Sequence, residues 1–262
     1  MHLRVENISF SYQEEKKILD NINLHVEKGE LVGIIGPNGS GKSTILKNIY
    51  RVLKPDEGAV FLDDEAVYQM HVKKAATKLG VVGQENSIPF DFTVGDIVAM
   101  GRGPHKGLLE SDTEEDQRIV MNALKQVDLE HLIYQDYRQL SGGEKQRVII
   151  ARVLAQQTDF LILDEPTNHL DIHHQLQIFD LVKNIGVTVL AAIHDLNLAA
   201  LYCDRIYLLK DGKLVTAGTP ETVLTEKNIG DVFGIHTDIM IHPITKKVSI
   251  TYLPESLAET EE

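Results

Sequence analysis

Positive charge is in short supply in this chain: 26 lysines and arginines face 39 aspartates and glutamates, a net charge of −13 at pH 7. Such a field repels a phosphate backbone, which disfavours nucleic acid as a principal ligand. Cysteine is nearly missing. Cys203 alone cannot form an internal disulfide, which fits a reducing compartment, and its expected place is apolar packing beside a helix. Long apolar runs are missing too: the longest clean one, Val187 to Ile193, is far short of the ~20 residues that span a bilayer. Met1-His2-Leu3-Arg4-Val5-Glu6 has no apolar core of the kind a secretory signal needs, so the chain is expected in the cytosol, without direct insertion into lipid. Internal repeats of roughly 20 to 50 residues are also lacking.

What remains is an ordinary folded composition, with 43% of the 262 residues hydrophobic and 25% charged. The length suits one large or two small domains. Leu3 to Phe10 and Leu31 to Ile35 read as strands, and Ile45, Leu46, Ile49 and Leu53 follow at helical spacing. Between about Asp91 and Gln157 the pattern becomes helical. Ser111 with Glu114 has capping-box spacing, and Ile119, Val120, Ala123, Leu124 and Val127 form one apolar stripe. Phe160 to Leu163 and Val187 to Ile193 are continuous apolar runs, as in strands buried on both faces of a parallel sheet. An Asp211-Gly212 turn predicts a hairpin, Thr219-Pro220 predicts a helix start, and Glu255, Glu259, Glu261 and Glu262 predict a frayed acidic tail.

Gly36-Pro37-Asn38-Gly39-Ser40-Gly41-Lys42-Ser43-Thr44 fits the P-loop pattern, and it stands between a strand and a helix as that pattern requires. Its glycines let successive amides converge on a phosphate, and the following helix points its positive end at the same place. Lys42 is expected to reach the β- and γ-phosphate oxygens, and Ser43 to ligate Mg²⁺. A plain linking turn would have to match all these positions by accident. Downstream, Asp164 and Glu165 end an apolar strand; Asp164 is suited to hold hydrated Mg²⁺ and Glu165 to polarise water. A second glycine loop, Leu140-Ser141-Gly142-Gly143-Glu144, also opens a helix but contains no lysine. Two cradles serve one nucleotide only from opposite sides.

Together with Ile193-His194-Asp195, these segments resemble the ATP-binding subunit of ABC transporters, over about Leu3 to Gly234. The resemblance implies an α/β fold: a P-loop NTPase (RecA-like) core, an N-terminal antiparallel β-subdomain and an inserted helical subdomain of ABC type. It implies a single ATPase domain over residues 1–240, with the helical subdomain at about 91–157, and a C-terminal extension with an acidic tail over 241–262. The implied cofactors are ATP and Mg²⁺. Tyr12 is similar to the aromatic that stacks on adenine, Gln84 to the glutamine that senses Mg²⁺ and the γ-phosphate, and Ser141, Gly142 and Gly143 to the signature loop. His194 matches the switch histidine that contacts the γ-phosphate, and Asp171 the aspartate that crosses the dimer interface. In this family two copies meet head to tail, so the signature of one closes the ATP held by the other.

Thr93-Val94, Gly101-Arg102-Gly103-Pro104-His105, Asn168-His169-Leu170-Asp171 and His194 to Ala199 are similar to ATPases of importers for iron-siderophore complexes, haem and cobalamin. That implies docking to integral-membrane permease subunits at the cytoplasmic face, with a substrate-binding protein acting through them. The segment from Pro89 through Val94 to His105 is the expected groove for a membrane subunit. The alternative is a soluble ABC ATPase that remodels a ribosome or DNA, but those usually carry tandem cassettes or a long coiled coil. His169, His173 and His174 invite a metal reading; without the acid of a zinc-protease motif, polar interface histidines fit better.

Overall fold

Two apolar patterns sort the strands: alternating runs for a sheet with one solvated face, continuous runs for strands covered on both. The computed structural model describes residues 3–13, 16–83, 91–107, 110–168 and 170–258. Its strands are β1 (Leu3–Ser11), β2 (Lys17–Val26), β3 (Leu31–Ile35), β4 (Glu57–Leu62), β5 (Glu65–Ala66), β6 (Leu79–Val82), β7 (Phe160–Asp164), β8 (Thr188–Ala192), β9 (Arg205–Lys210), β10 (Lys213–Gly218), β11 (His236–Ile241) and β12 (Val248–Leu253). Its helices are α1 (Lys42–Ile49), α2 (Val72–Lys78), α3 (Val94–Ala99), α4 (Glu114–Gln126), α5 (Gly142–Ala155), α6 (Ile172–Ile185), α7 (Leu196–Tyr202), α8 (Pro220–Val223), α9 (Glu226–Phe233) and α10 (Glu255–Ala258). The chain divides into two compact units, residues 1–68 with 188–262, and residues 69–187.

In the first unit, β2, β1, β4 and β5 form an antiparallel sheet in that order. On β2, Leu19, Ile22, Leu24 and Val26 are buried while Asn21, Asn23 and His25 are exposed, so one face packs and the other meets water. β3 is buried at all five positions and lies parallel to both β8 and β9, with Ile34 opposite Ala192 on one side and Tyr207 on the other. β9 returns antiparallel as β10 through Asp211 at φ 48° and Gly212 at φ 74°, the two-residue turn the sequence predicts. Cys203 is fully buried; its Sγ would lie 2.7 Å from a Cβ placed on Gly33 of β3.

Thr219 precedes α8 with proline in its first turn, as expected, although its side chain makes no capping hydrogen bond. Two sequence expectations need correction. The acidic end begins as a helical turn, α10, and residues 259–262 lie outside the described residues. The helix expected from Ser111 and Glu114 is instead capped by Thr113, whose Oγ1 accepts from the Asp116 amide at 3.1 Å while the Asp116 carboxylate accepts from the Thr113 amide at 3.0 Å. The same carboxylate accepts from Arg102 Nε at 2.9 Å, and that demand sets the helix start two residues later. The β11–β12 hairpin, paired from His236–Leu253 to Ile241–Val248, had no counterpart in the sequence reading.

In the second unit, β6 and β7 are parallel, and α3, α4 and α5 pack together. Arg102 ties this cluster, donating also to the Ala155 carbonyl at 2.8 Å and the Gln157 side chain at 2.9 Å. Arg102 and the bonds from Thr113 hold the Asp116 carboxyl well below the usual aspartate range. A depressed carboxyl adds stability above its unfolded pKa, and that contribution fades as pH falls through the folded value. Arg102→Ala leaves Asp116 without its main partner and should lower the melting temperature at pH 7 by about 5 °C or more. Below pH ~4 the wild type should lose stability more steeply than the variant. Thermal melts between pH 2 and 7 check both; equal melting temperatures at pH 7 would show the clamp to be dispensable.

Candidate functional site

In the first unit, β3 ends at Ile35 and the chain turns through Gly36 to Gly41 into α1, whose Ile45, Leu46 and Ile49 are fully buried. The tight course of the turn explains its glycines. A Cβ on Gly36 would lie 2.3 Å from the Leu209 carbonyl oxygen and 2.7 Å from Ser40 Oγ, and Gly41 caps α1 at φ 103°. The loop is braced by the hairpin turn, because the Gly212 amide donates to the Ser40 carbonyl at 3.1 Å. Lys42 is only 4% exposed, and its Nζ folds back to donate to the carbonyls of Gly36 at 2.9 Å and Pro37 at 3.2 Å. A buried ammonium, a buried Ser40 Oγ with no partner among the described residues and a helix N-terminus fit a polyphosphate. Asn38 and Gly39 are exposed at the loop tip, while Ser43 and Thr44 sit in the first turn of α1.

Tyr12 and His194 belong to the same unit. Phe10 is buried and Tyr12 is 58% exposed just beyond β1, the two rings meeting edge to face at 5.0 Å. The parity they share in sequence is thus split: one packs, the other is presented to solvent. His194 follows β8, whose pairing with β3 sets Ala192 opposite Ile34; the Ile193 amide continues the ladder to the Ile34 carbonyl at 3.0 Å. That register brings His194 to the strand ends where the P-loop starts. Asp195 then caps α7 by accepting from the amides of Asn197 and Leu198, and the Asn197 side chain exchanges two hydrogen bonds with the Ile250 backbone of β12.

The second unit holds the remaining described residues. Asp164 is 1% exposed at the end of β7, whose five residues are all buried. Glu165 stands at φ 55°, a left-handed conformation that costs a non-glycine residue of order 1–3 kcal/mol. The Asn168 amide donates to its carbonyl at 3.2 Å and Asn168 Nδ2 to its Oε2 at 3.4 Å. Ser141 caps α5 in a complete capping box with Glu144, and the Ser141 hydroxyl and amide hold the Glu144 carboxyl below the usual range. Gly142 is exposed at the start of the helix, and Gly143 is buried. Asp171 caps α6, and the backbone and ring N–H groups of His174 hold its carboxyl below the usual aspartate range. Gln84, His169, Pro89 and Phe90 lie outside the described residues.

The model of the ABC transporter family matches residues 19–168, from β2 across the P-loop and the Ser141 loop to Asn168. The chain belongs to the ABC transporter family. It is an ATPase with the fold of the ABC cassette, an α/β P-loop core with an antiparallel β-subdomain and a helical insert. The ABC cassette is similar to the petrobactin import ATP-binding protein FpuC of Bacillus anthracis, with 43% identity over 237 residues, 89% of this chain and 87% of that protein. It is also similar to the hemin import ATP-binding protein HmuV of Pseudomonas aeruginosa, with 42% identity over 249 residues, 92% of this chain and 96% of that one. A dimeric structure of a bacterial ABC transporter cassette superposes with a TM-score of 0.74 at 33% identity, covering 83% of this chain and 98% of that one. Among the described residues of this ABC cassette, no helix is long and apolar enough to cross a membrane.

Three features of the site were not foreseen. The left-handed backbone at Glu165 and the brace from Gly212 to the P-loop are tertiary, and no local pattern announces them. The packing of the His174 ring beneath Gly143 joins residues distant in sequence; the histidine three positions after Asp171 signals only its bonds to that N-cap.

Proposed function

We propose that this chain is the ATP-hydrolysing subunit of an importer, two copies of which meet head to tail around two ATP–Mg²⁺ and drive uptake of an iron-siderophore, haem or cobalamin-type chelate through a membrane permease. One observation carries this: two glycine loops each open a helix, in different units, and only the first contains a lysine. A P-loop covers one side of a triphosphate, so the lysine-free cradle serves the γ end of a nucleotide held by another copy. A two-fold arrangement makes two such sites from one sequence. The dimeric cassette to which this chain is similar supports that arrangement. The petrobactin and hemin relatives support a chelate as cargo.

In this mechanism Tyr12 stacks on adenine, the amides of Gly36 to Thr44 surround the β-phosphate, and Lys42 leaves the loop carbonyls for the β and γ oxygens. The donors assigned to Mg²⁺, the Ser43 hydroxyl, the Asp164 carboxylate and the Gln84 amide oxygen, are all hard oxygens that suit it. When bound, the ion neutralises charge on the β- and γ-phosphates. Glu165 takes a proton from the attacking water, whose oxygen bonds to the γ-phosphorus as the bond to the bridging oxygen breaks. His194 contacts the γ-phosphate; Ser141, Gly142, Gly143 and Asp171 of the opposing copy close the site and exclude bulk water. Loss of the γ-phosphate removes what both surfaces hold, and the dimer opens.

The test is to purify the chain with whatever it binds in its own membranes, then to add a ferric siderophore, haem or cobalamin with a substrate-binding protein. A polytopic membrane partner, and ATP hydrolysis raised several-fold by one of these chelates, is the expected result. Recovery with ribosomes or DNA would overturn it in favour of a remodelling ATPase.

A further inference from the structure

Gly143 leaves no room for a side chain because a ring from another helix occupies the space. A Cβ there would lie 2.3 Å from Cδ2 of His174 and 2.8 Å from its Cγ and Nε2. The opposite edge of that ring is tethered: His174 Nδ1 is 2.7 Å from Asp171 Oδ1, which also accepts the His174 amide at 2.9 Å. A carboxylate only accepts, so Nδ1 carries the proton and the ring orientation is set. Leu170 supports the neighbouring glycine, its Cδ2 lying 3.8 Å from a Cβ position on Gly142. Both glycines of the loop that opens α5 thus rest on the segment that opens α6.

We propose that His174 is a positioning residue for ATP hydrolysis: wedged against Gly143 and tethered to Asp171, it makes the signature loop and the cap of α6 one rigid surface. The capping box fixes Ser141 to Glu144 but leaves the loop's placement against α6 undetermined, and two adjacent glycines are conformationally soft. A ring filling the space below Gly143 removes that freedom. Placement matters here, since an error of about 1 Å in a closing surface can cost roughly 10²-fold in rate. Histidine meets both demands, whereas phenylalanine fills the space without donating and asparagine donates without filling it. The His173 ring, edge-on to His174 at 5.5 Å and 69°, packs beside it.

Resting on the ATPase assignment above, the test is steady-state ATP hydrolysis by the full chain, with melting temperatures measured alongside. His174→Ala should lower kcat about 10-fold or more while KM for ATP stays within about two-fold, because the P-loop is untouched. His174→Phe should also lose rate, and His174→Asn, which keeps a donor for Asp171, should recover part of it. Gly143→Ala should be nearly inactive, and adding His174→Ala should raise activity again, to about the level of His174→Ala alone, by emptying the space its Cβ needs. His174→Ala and His174→Phe both within two-fold of wild type would overturn the proposal. So would losses that track melting temperature in every variant with no recovery by asparagine or by the double substitution. A wild-type chain that hydrolyses no ATP would instead refute the assignment beneath it.

Discussion

Glu165→Gln is expected to lower ATP turnover by about 10² to 10⁴-fold while leaving nucleotide binding in place. Glutamine keeps the shape of the side chain and the oxygen that accepts from Asn168 Nδ2, so the strained turn at φ 55° has no new reason to relax. What it loses is the ability to take a proton from water. Phosphoryl transfer asks the protein mainly for positioning and charge neutralisation, so the rest of the site goes on binding ATP as before. Because hydrolysis is what opens the proposed dimer, the variant should accumulate as an ATP-bound pair. Size-exclusion chromatography with ATP and Mg²⁺ should show a dimer that wild type holds only briefly. A variant that elutes solely as monomer, or that keeps normal phosphate release, would remove Glu165 from the catalytic role.

Ser141→Arg should be nearly as damaging to turnover by a different route. Ser141 is exposed at the N-cap of α5, where its hydroxyl accepts from the Glu144 amide and donates to the Glu144 carboxylate at 2.7 Å. Losing that cap costs about 1 kcal/mol of local stability, too little to unfold a cassette of this size. The larger effect is at the surface that the proposed dimer presents to the other copy's nucleotide: a long side chain replaces a hydroxyl where that arrangement brings the γ-phosphate. Phosphate release should fall by about 10²-fold or more, the scale seen when one preorganised donor is removed. Binding of a fluorescent ATP analogue to the monomer should stay within about two-fold, because Lys42 and the Gly36 to Thr44 loop are unchanged. Matching losses of binding and turnover would show that the loop only supports the fold.

These tests separate two kinds of evidence. The P-loop is legible because its chemistry is local: a strand, a glycine turn, a lysine and a hydroxyl must be contiguous to curl around one phosphate, so they remain contiguous in sequence. The Asp211-Gly212 hairpin is legible for the same reason, as two residues with positive φ make the turn without outside help. The start of α4 was misplaced because two capping boxes compete there, Ser111 with Glu114 and Thr113 with Asp116, and local rules rank them equally. Arg102, arriving from a segment twelve residues upstream of Glu114, decides for the second. The β11–β12 hairpin went unread because Met240 and Ile241 are both exposed, which breaks the alternation by which a half-buried strand is recognised.

By itself the sequence determined the family and the ATPase assignment and named the residues proposed to carry the chemistry, since each motif carries its own geometry within a few consecutive positions. Only the tertiary structure decided that Tyr12 and not Phe10 faces solvent, that Glu165 sits in a left-handed turn, and that His174 lies beneath Gly143. Those facts depend on which distant segments fill the space around a residue, and packing of that kind leaves no periodic trace along the chain.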